Sequence, residues 1–222
     1  MEQPETVGTV VSLVQFICDD WEMDNLNMAT QLPAINSGFR EFQRRCAMRD
    51  MPFMRNTTVL SVPANTTAIS MTSTPPLPDD FVLPLKLREK QVGSNDFFEN
   101  HDIWRETTLP DMPPGTYLRF YTFEAGQINL LGATVPLSLQ IQYQKFFPLL
   151  ADEQDALPIP YSADPIAHFT ALQVALARGV SEEFRARVSA MGEATLDELT
   201  SIYVKSEQLQ TRRRRMNMPG RF

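Results

Sequence analysis

Two histidines, two cysteines and two pairs of adjacent aspartates are the residues whose chemistry would matter most in this chain. His101 stands in "FFENHDIW", with Glu99 and Asp102 close by, and His168 stands early in an apolar run. Neither has a neighbour at a metal-ligand spacing: there is no HExxH, no CxxC and no second histidine one helical turn away. A loop histidine among acids reads as a surface residue, and His168 reads as a hydrogen-bonded structural histidine. Asp19-Asp20 and Asp79-Asp80 could supply two carboxylates for glycoside hydrolysis, which needs them about 5–10 Å apart across a cleft. Adjacent acids more commonly cap and solubilise chain ends. Gly126 and Gly132 end turns and belong to no phosphate-cradling pattern. Cys18 and Cys46 fall in helical stretches, where they read as small buried apolar groups rather than a disulfide, in keeping with a reducing compartment. No constellation here specifies an enzyme, a metal site or a cofactor.

The strongest charge feature lies at the end, in "QTRRRRMNMPGRF". Arg212, Arg213, Arg214, Arg215 and Arg221 stand there without an acid, on a chain whose formal net charge is −7. The body without them is more acidic still, which argues against wholesale nucleic-acid binding, because phosphate contacts require a basic face. Three readings of the run stay open: a segment that docks on a partner protein, a DNA contact, and a solvated terminus. The apolar content of 43% is ample for a globular core, and 222 residues suit one large domain or one core with an inserted layer. No apolar stretch approaches the roughly 20 residues needed to span a bilayer. "MEQPET" is acidic and lacks the basic start of a signal peptide. The expectation is a soluble protein made in a cytoplasm, with no membrane partner.

The elements that must position these residues can be read from periodicity. In "VGTVVSLVQFICDDWE", Val7, Val10, Val11, Val14, Ile17 and Trp21 share one helical face, while Leu13 and Phe16 lie off it. A helix covered on more than one side, as inside an oligomer, would explain those two. A second helix follows, with Asn27 as N-cap, Pro33 near its first turns, and a stripe of Leu32, Ile35, Phe39, Phe42 and Cys46. Arg40, Glu41, Arg44 and Arg45 make its solvated face. From Met54 the composition turns to threonine, β-branched residues and proline, and Phe81, Leu83, Leu85 and Leu87 alternate with period two. Three strands, Tyr117 to Phe123, Gln127 to Leu131 and Pro136 to Tyr143, read as a half-buried antiparallel meander, with Leu137, Leu139, Ile141 and Tyr143 inward. Asp164 as N-cap with Pro165 begins a third helix that stops at Gly179. Ser181 caps a fourth, with Phe184, Val188, Met191, Leu199, Ile202 and Leu209 on its buried side. If helical through Arg212 it would be about 48 Å long at about 1.5 Å per residue, more than a compact domain needs. Such a helix suits packing beside copies of itself.

The sum is an α+β chain: a four-helix bundle, two helices from each end, with a small antiparallel β module inserted and an extended C-terminal arm. The divisions fall at 1–53, 54–147, 148–211 and 212–222, the last being the basic arm.

The order of these elements, with several local phrases, resembles the head-to-tail adaptor (neck or connector) proteins of tailed bacteriophages, of the short-tailed type. The phrases are an N-terminal helix ending in "DDW", the helix "AINSGFREFQRRCAMRDM", "LPDDF", the segment "PPGTYLRFYTFEAGQINLLGATVPLSLQIQYQKFFPLL", and helices from "ADPIAHFTALQVALA". Together they cover nearly the whole chain; "LLGATVP" departs from the proline and aspartate often found in that family's last turn. The resemblance implies a non-enzymatic virion structural protein at the head-to-tail junction. It would form a dodecameric ring under the portal protein, extend the DNA channel, and carry a nozzle or tail-tube protein. Packaged DNA would pass the acidic lumen without sequence-specific binding. The resemblance also implies that the C-terminal arm docks on the portal, through Arg212, Arg213, Arg214, Arg215 and Arg221 as charged forks and Met216, Met218 and Phe222 as apolar anchors. Two other readings of the whole remain: a virion-associated cell-wall hydrolase using acids of the β module, and a DNA-binding module using the arginine run.

Overall fold

A computed structural model describes residues 4–18, 28–95, 97–98 and 101–216. The chain forms two compact units, one from residues 1–53 with 147–222 and one from residues 54–146.

The first unit is helical: α1 (Val7–Ile17), α2 (Met28–Met48), α3 (Ala163–Ala177) and α4 (Glu182–Met216). It differs from the expected four-helix bundle, in which each helix would turn one stripe towards a shared axis. Here α3 occupies the centre, and α1, α2 and α4 each pack mainly on it. Pro165 to Ala171 are buried without a break, which is every side of two helical turns. A helix enclosed in this way has no polar face, so periodicity could not show that it would serve as the hub. Small residues permit the approach. At Gly38 of α2, a Cβ would lie 2.2 Å from Thr170 Oγ1 and 2.6 Å from Thr170 N.

The expected faces of α1 and α2 are largely present. Val7, Val10 and Val14 are buried, as are Ile35, Phe39, Phe42 and Cys46. Both cysteines are free and buried, and burial pushes the Cys46 thiol up to about 12. The face expected to be solvated is only partly so. Arg45 and Arg49 pair with Glu193 of α4, and Arg49 also reaches Asp197 at 2.6 Å. The first amides of α1 find acceptors in the loop before α3: Val7 N–H donates to Asp155 O and Gly8 N–H to Glu153 O, both at 3.0 Å. Glu5 does the same service for α3, accepting the Ser162 and Ala163 N–H groups at 3.0 and 3.2 Å. The helix therefore begins one residue before the expected Asp164 cap. Gly179, at φ 66, ends it as expected, with Val180 N–H returning to Ala175 O. Asn27 lies outside the described residues.

The second unit departs furthest from expectation. In place of a small antiparallel module it holds a seven-stranded mixed sheet that curls into a half-barrel. The strands are β1 (Arg55–Val62), β2 (Ala68–Ile69), β3 (Phe81–Gln91), β4 (Asp102–Arg105), β5 (Phe120–Glu124), β6 (Gln127–Leu130) and β7 (Leu137–Lys145), in the order β1-β7-β3-β4-β5-β6-β2. The β5–β6 hairpin forms as expected across Ala125 and Gly126, whose φ values of 50 and 77 match the two-residue turn that suits twisted strands. The meander stops there. After β6 the chain crosses the loops, where Asn65 N–H donates to Ala133 O at 2.6 Å and Thr134 N–H to Gly115 O at 2.8 Å. β7 then enters the sheet between β1 and β3, one strand in from the edge, and β6 pairs with β2 instead. β4 and β5 run parallel. Leu137, Leu139, Ile141 and Tyr143 all point into the core. The alternation expected along β3 fails because the pairing with β7 slips twice, between Phe81 and Leu83 and between Pro84 and Lys86. Each slip reverses which face a residue presents. Pro84 is buried and Leu85 exposed as a result, and after the second slip the original phase returns, with Leu87 buried as expected and Glu89 beside it.

Candidate functional site

The basic segment singled out by sequence is not an extended arm along its whole length. α4 runs 35 residues to Met216, about 52 Å at about 1.5 Å per residue, so the backbone of Arg212 to Arg215 forms its last turn. Cations at that end complement the negative pole of the helix dipole, a local reason for the helix to persist. Met218, Arg221 and Phe222 lie outside the described residues.

Among the described side chains of α4, Val188, Leu196 and Leu199 are buried on the core. Met191 and Ile202, expected inward, are about half exposed. Beyond Leu199, Ser201, Ile202, Val204 and Lys205 are exposed, Tyr203 packs edge-on against Phe53 with ring centroids 4.7 Å apart, and the backbone stays helical to Met216. The helical unit carries other uncovered apolar side chains, chiefly Phe16 of α1 and Met48 of α2. A groove of about 340 Å³ also opens among α1, α2 and α3, with Val11, Val14, Ile35 and Val174 on its walls and Gln173 and Arg178 at its edge.

The residues that could have done chemistry are dispersed. His168 is buried in α3, with Nδ1 2.8 Å from Asp164 O, the structural role expected of it. His101 stacks its ring on Tyr117, with centroids 5.1 Å apart. Asp80 accepts a 2.8 Å hydrogen bond from the Tyr143 hydroxyl, which in turn accepts one from Asn56 at 3.0 Å. Asp19, Asp20 and Glu99 lie outside the described residues. No cluster of histidine, cysteine or acidic side chains among the described residues could hold a metal ion. No helix among them is long and apolar enough to cross a membrane.

Three polar residues passed over in sequence prove to organise the backbone. Asn36 and Gln43, seven apart and so on one face of α2, each form a two-way amide pair with the passing chain. Asn36 bonds the Leu150 C=O and N–H at 2.9 Å each, and Gln43 bonds the Phe147 C=O and N–H at 3.3 and 2.6 Å. The seven-residue spacing of two amides was the available signal. Glu89 is the third. It is buried, with its carboxylate accepting the Leu118 N–H at 2.7 Å and the Arg119 N–H at 3.0 Å. Burial pushes its carboxyl up, and the two amides pull it back. Nothing in "LREKQ" distinguishes this acid from its charged neighbours.

Compared with known proteins, the chain matches no family model and no curated sequence.

Proposed function

We propose that this chain is a virion structural protein, a head-to-tail adaptor that assembles as a ring under a portal protein and carries a tail protein. The family resemblance of its sequence supplies that identity. The observation that supports it best is α4, a helix of 35 residues whose last turn carries four consecutive arginines. A helix this long gains little from propensity alone and is stabilised mainly by packing, which neighbouring subunits would supply along its exposed face. The uncovered Phe16, Met48, Met191 and Ile202 give such neighbours apolar surface. The arginines offer forked donors for carboxylates on the portal, and the acidic body lets packaged DNA pass without adhering.

Deleting residues 212–222 and, separately, replacing Arg212 to Arg215 by alanine tests the docking role. The expected result is a folded protein that no longer binds the portal, with binding of the intact chain only modestly sensitive to salt. If the arginines serve DNA instead, portal binding survives and a steeply salt-dependent affinity for duplex is lost.

A further inference from the structure

The sheet unit holds a shallow cleft of about 310 Å³ whose walls come from three strands and the loop before β5. Strand alternation builds one side. Ile103 of β4 is buried, so Asp102 and Trp104 face outward, and Trp104 is 69% exposed. Asp102 is held by Lys86 at 2.7 Å and Arg88 at 3.0 Å. The other side is the loop fixed by Glu89. With Leu118 and Arg119 N–H on that carboxylate and Arg119 O accepting the Trp104 N–H at 2.8 Å, residue 119 is held at φ 61 beside Trp104. Tyr117, from the same loop, lies parallel to His101, with an interplanar angle of 10°.

We propose that this cleft binds a saccharide, with a pyranose ring lying on the aromatic faces of Trp104 and the His101–Tyr117 pair and its hydroxyls bonded to Arg119 and Asp102. The chemistry of the walls selects that class. A sugar presents flat C–H faces that stack on aromatic rings, and hydroxyls that both donate and accept. The cleft offers aromatic plates, a guanidinium that only donates and a carboxylate that only accepts. An apolar ligand would desolvate those charges. The volume lies at the low end of the range of about 300–1,000 Å³ for small-molecule sites, room for one or two rings. Both Glu89 oxygens accept backbone N–H groups, so this carboxylate fixes the loop that carries Arg119. This inference does not rest on the adaptor reading.

The chain has two tryptophans. In a full-length Trp21→Phe background, Trp104 is therefore the only tryptophan reporter. The probes are maltotriose, cellotriose, tri-N-acetylchitotriose and a trigalacturonide, with AMP and UMP as competitors for the same shelf. At least one saccharide should give a saturable change in Trp104 fluorescence. Tyr117→Ala should weaken it by about tenfold or more, as loss of a stacking face does. Arg119→Gly should weaken it similarly while keeping the fold, because glycine accepts the positive φ at no steric cost. A flat response to all four saccharides, equal affinity in the Arg119→Gly protein, or saturation by the nucleotides alone would each overturn the proposal.

Discussion

Replacing Gly38 by alanine should be the most damaging single-methyl change in the helical unit. The added Cβ would sit 2.2 Å from Thr170 Oγ1, 2.6 Å from Thr170 N and 2.7 Å from Thr170 Cα. The last two are backbone atoms, which no rotamer change can move. The hydroxyl is also restrained, since it donates to Ile166 O at 2.8 Å. α2 and α3 would have to separate along their contact, loosening the central helix on which the unit is built. Overpacking that moves backbone costs about 3 kcal/mol, the upper end of the usual range. Alanine returns about 1 kcal/mol through its better helix propensity. The net is a loss of about 2 kcal/mol, or roughly 5–10 °C in Tm for a unit of this size. Gly192→Ala is the matched control. Its Cβ would meet nothing closer than Phe169 Cε1 at 3.1 Å and His168 Cβ at 3.2 Å, so a displacement of a few tenths of an ångström, chiefly of the Phe169 ring, relieves it. Thermal unfolding followed by far-UV circular dichroism should show Gly38→Ala well below wild type and Gly192→Ala close to it. A Gly38→Ala protein as stable as wild type, or the reverse ranking, would refute the close approach of α2 and α3.

In the sheet unit, Glu89→Gln places an NH₂ group against one of two backbone N–H groups, at a cost of about 1–3 kcal/mol; amide exchange at Leu118 and Arg119 should accelerate. The same change should remove a pH effect: with its folded-state value raised above the ordinary 4.5, the ionised carboxyl lowers stability as pH rises from there through the raised value. Glu41 has the opposite sign. Hydrogen bonds from Arg44 and then Arg45 hold its carboxyl below 4.5, so its contribution is present above that value and disappears as pH falls through the lowered one. Denaturant midpoints of Glu41→Gln should therefore lose part of their decline in acid. Tyr143→Phe removes a buried hydroxyl bonded to Asp80 and Asn56 and should cost about 1–2 kcal/mol. Burial, reinforced by Asp80, pushes this phenol up to about 12, so alkaline difference spectra should lose their latest-titrating tyrosine.

What the sequence made legible was local. The faces of α1 and α2, the inward set on β7, the Ala125-Gly126 turn and the Gly179 stop each follow from a few neighbouring residues. Partner choice did not follow. The two strands after Gly126 look like a continuing meander, yet the chain crosses by way of loop-to-loop hydrogen bonds at Asn65 and Gly115, and β7 pairs between β1 and β3. The slips in β3 depend on pairing with β7 and invert an alternation that is regular on paper. Glu5 closes the start of α3 from far away in sequence, so a local cap rule assigned that role to Asp164. The basic segment was visible as charge, but the helical state of Arg212 to Arg215 depends on how far α4 persists. The cleft was barely visible: His101 and Asp102 were noticed together, while Trp104, Tyr117 and Arg119 join them only through the parallel β4–β5 pairing and the buried Glu89.

The adaptor reading is tested most directly by mass photometry of the full chain, alone and mixed with its cognate portal ring. We expect the protein alone to be monomeric or weakly associated, since no leucine-zipper heptad specifies self-assembly. Adding the portal should produce one discrete heavier species whose excess mass equals a whole ring of adaptor subunits. Stable rings in dilute solution without the portal would contradict partner-directed assembly. A portal peak left unshifted by excess adaptor would contradict the function itself.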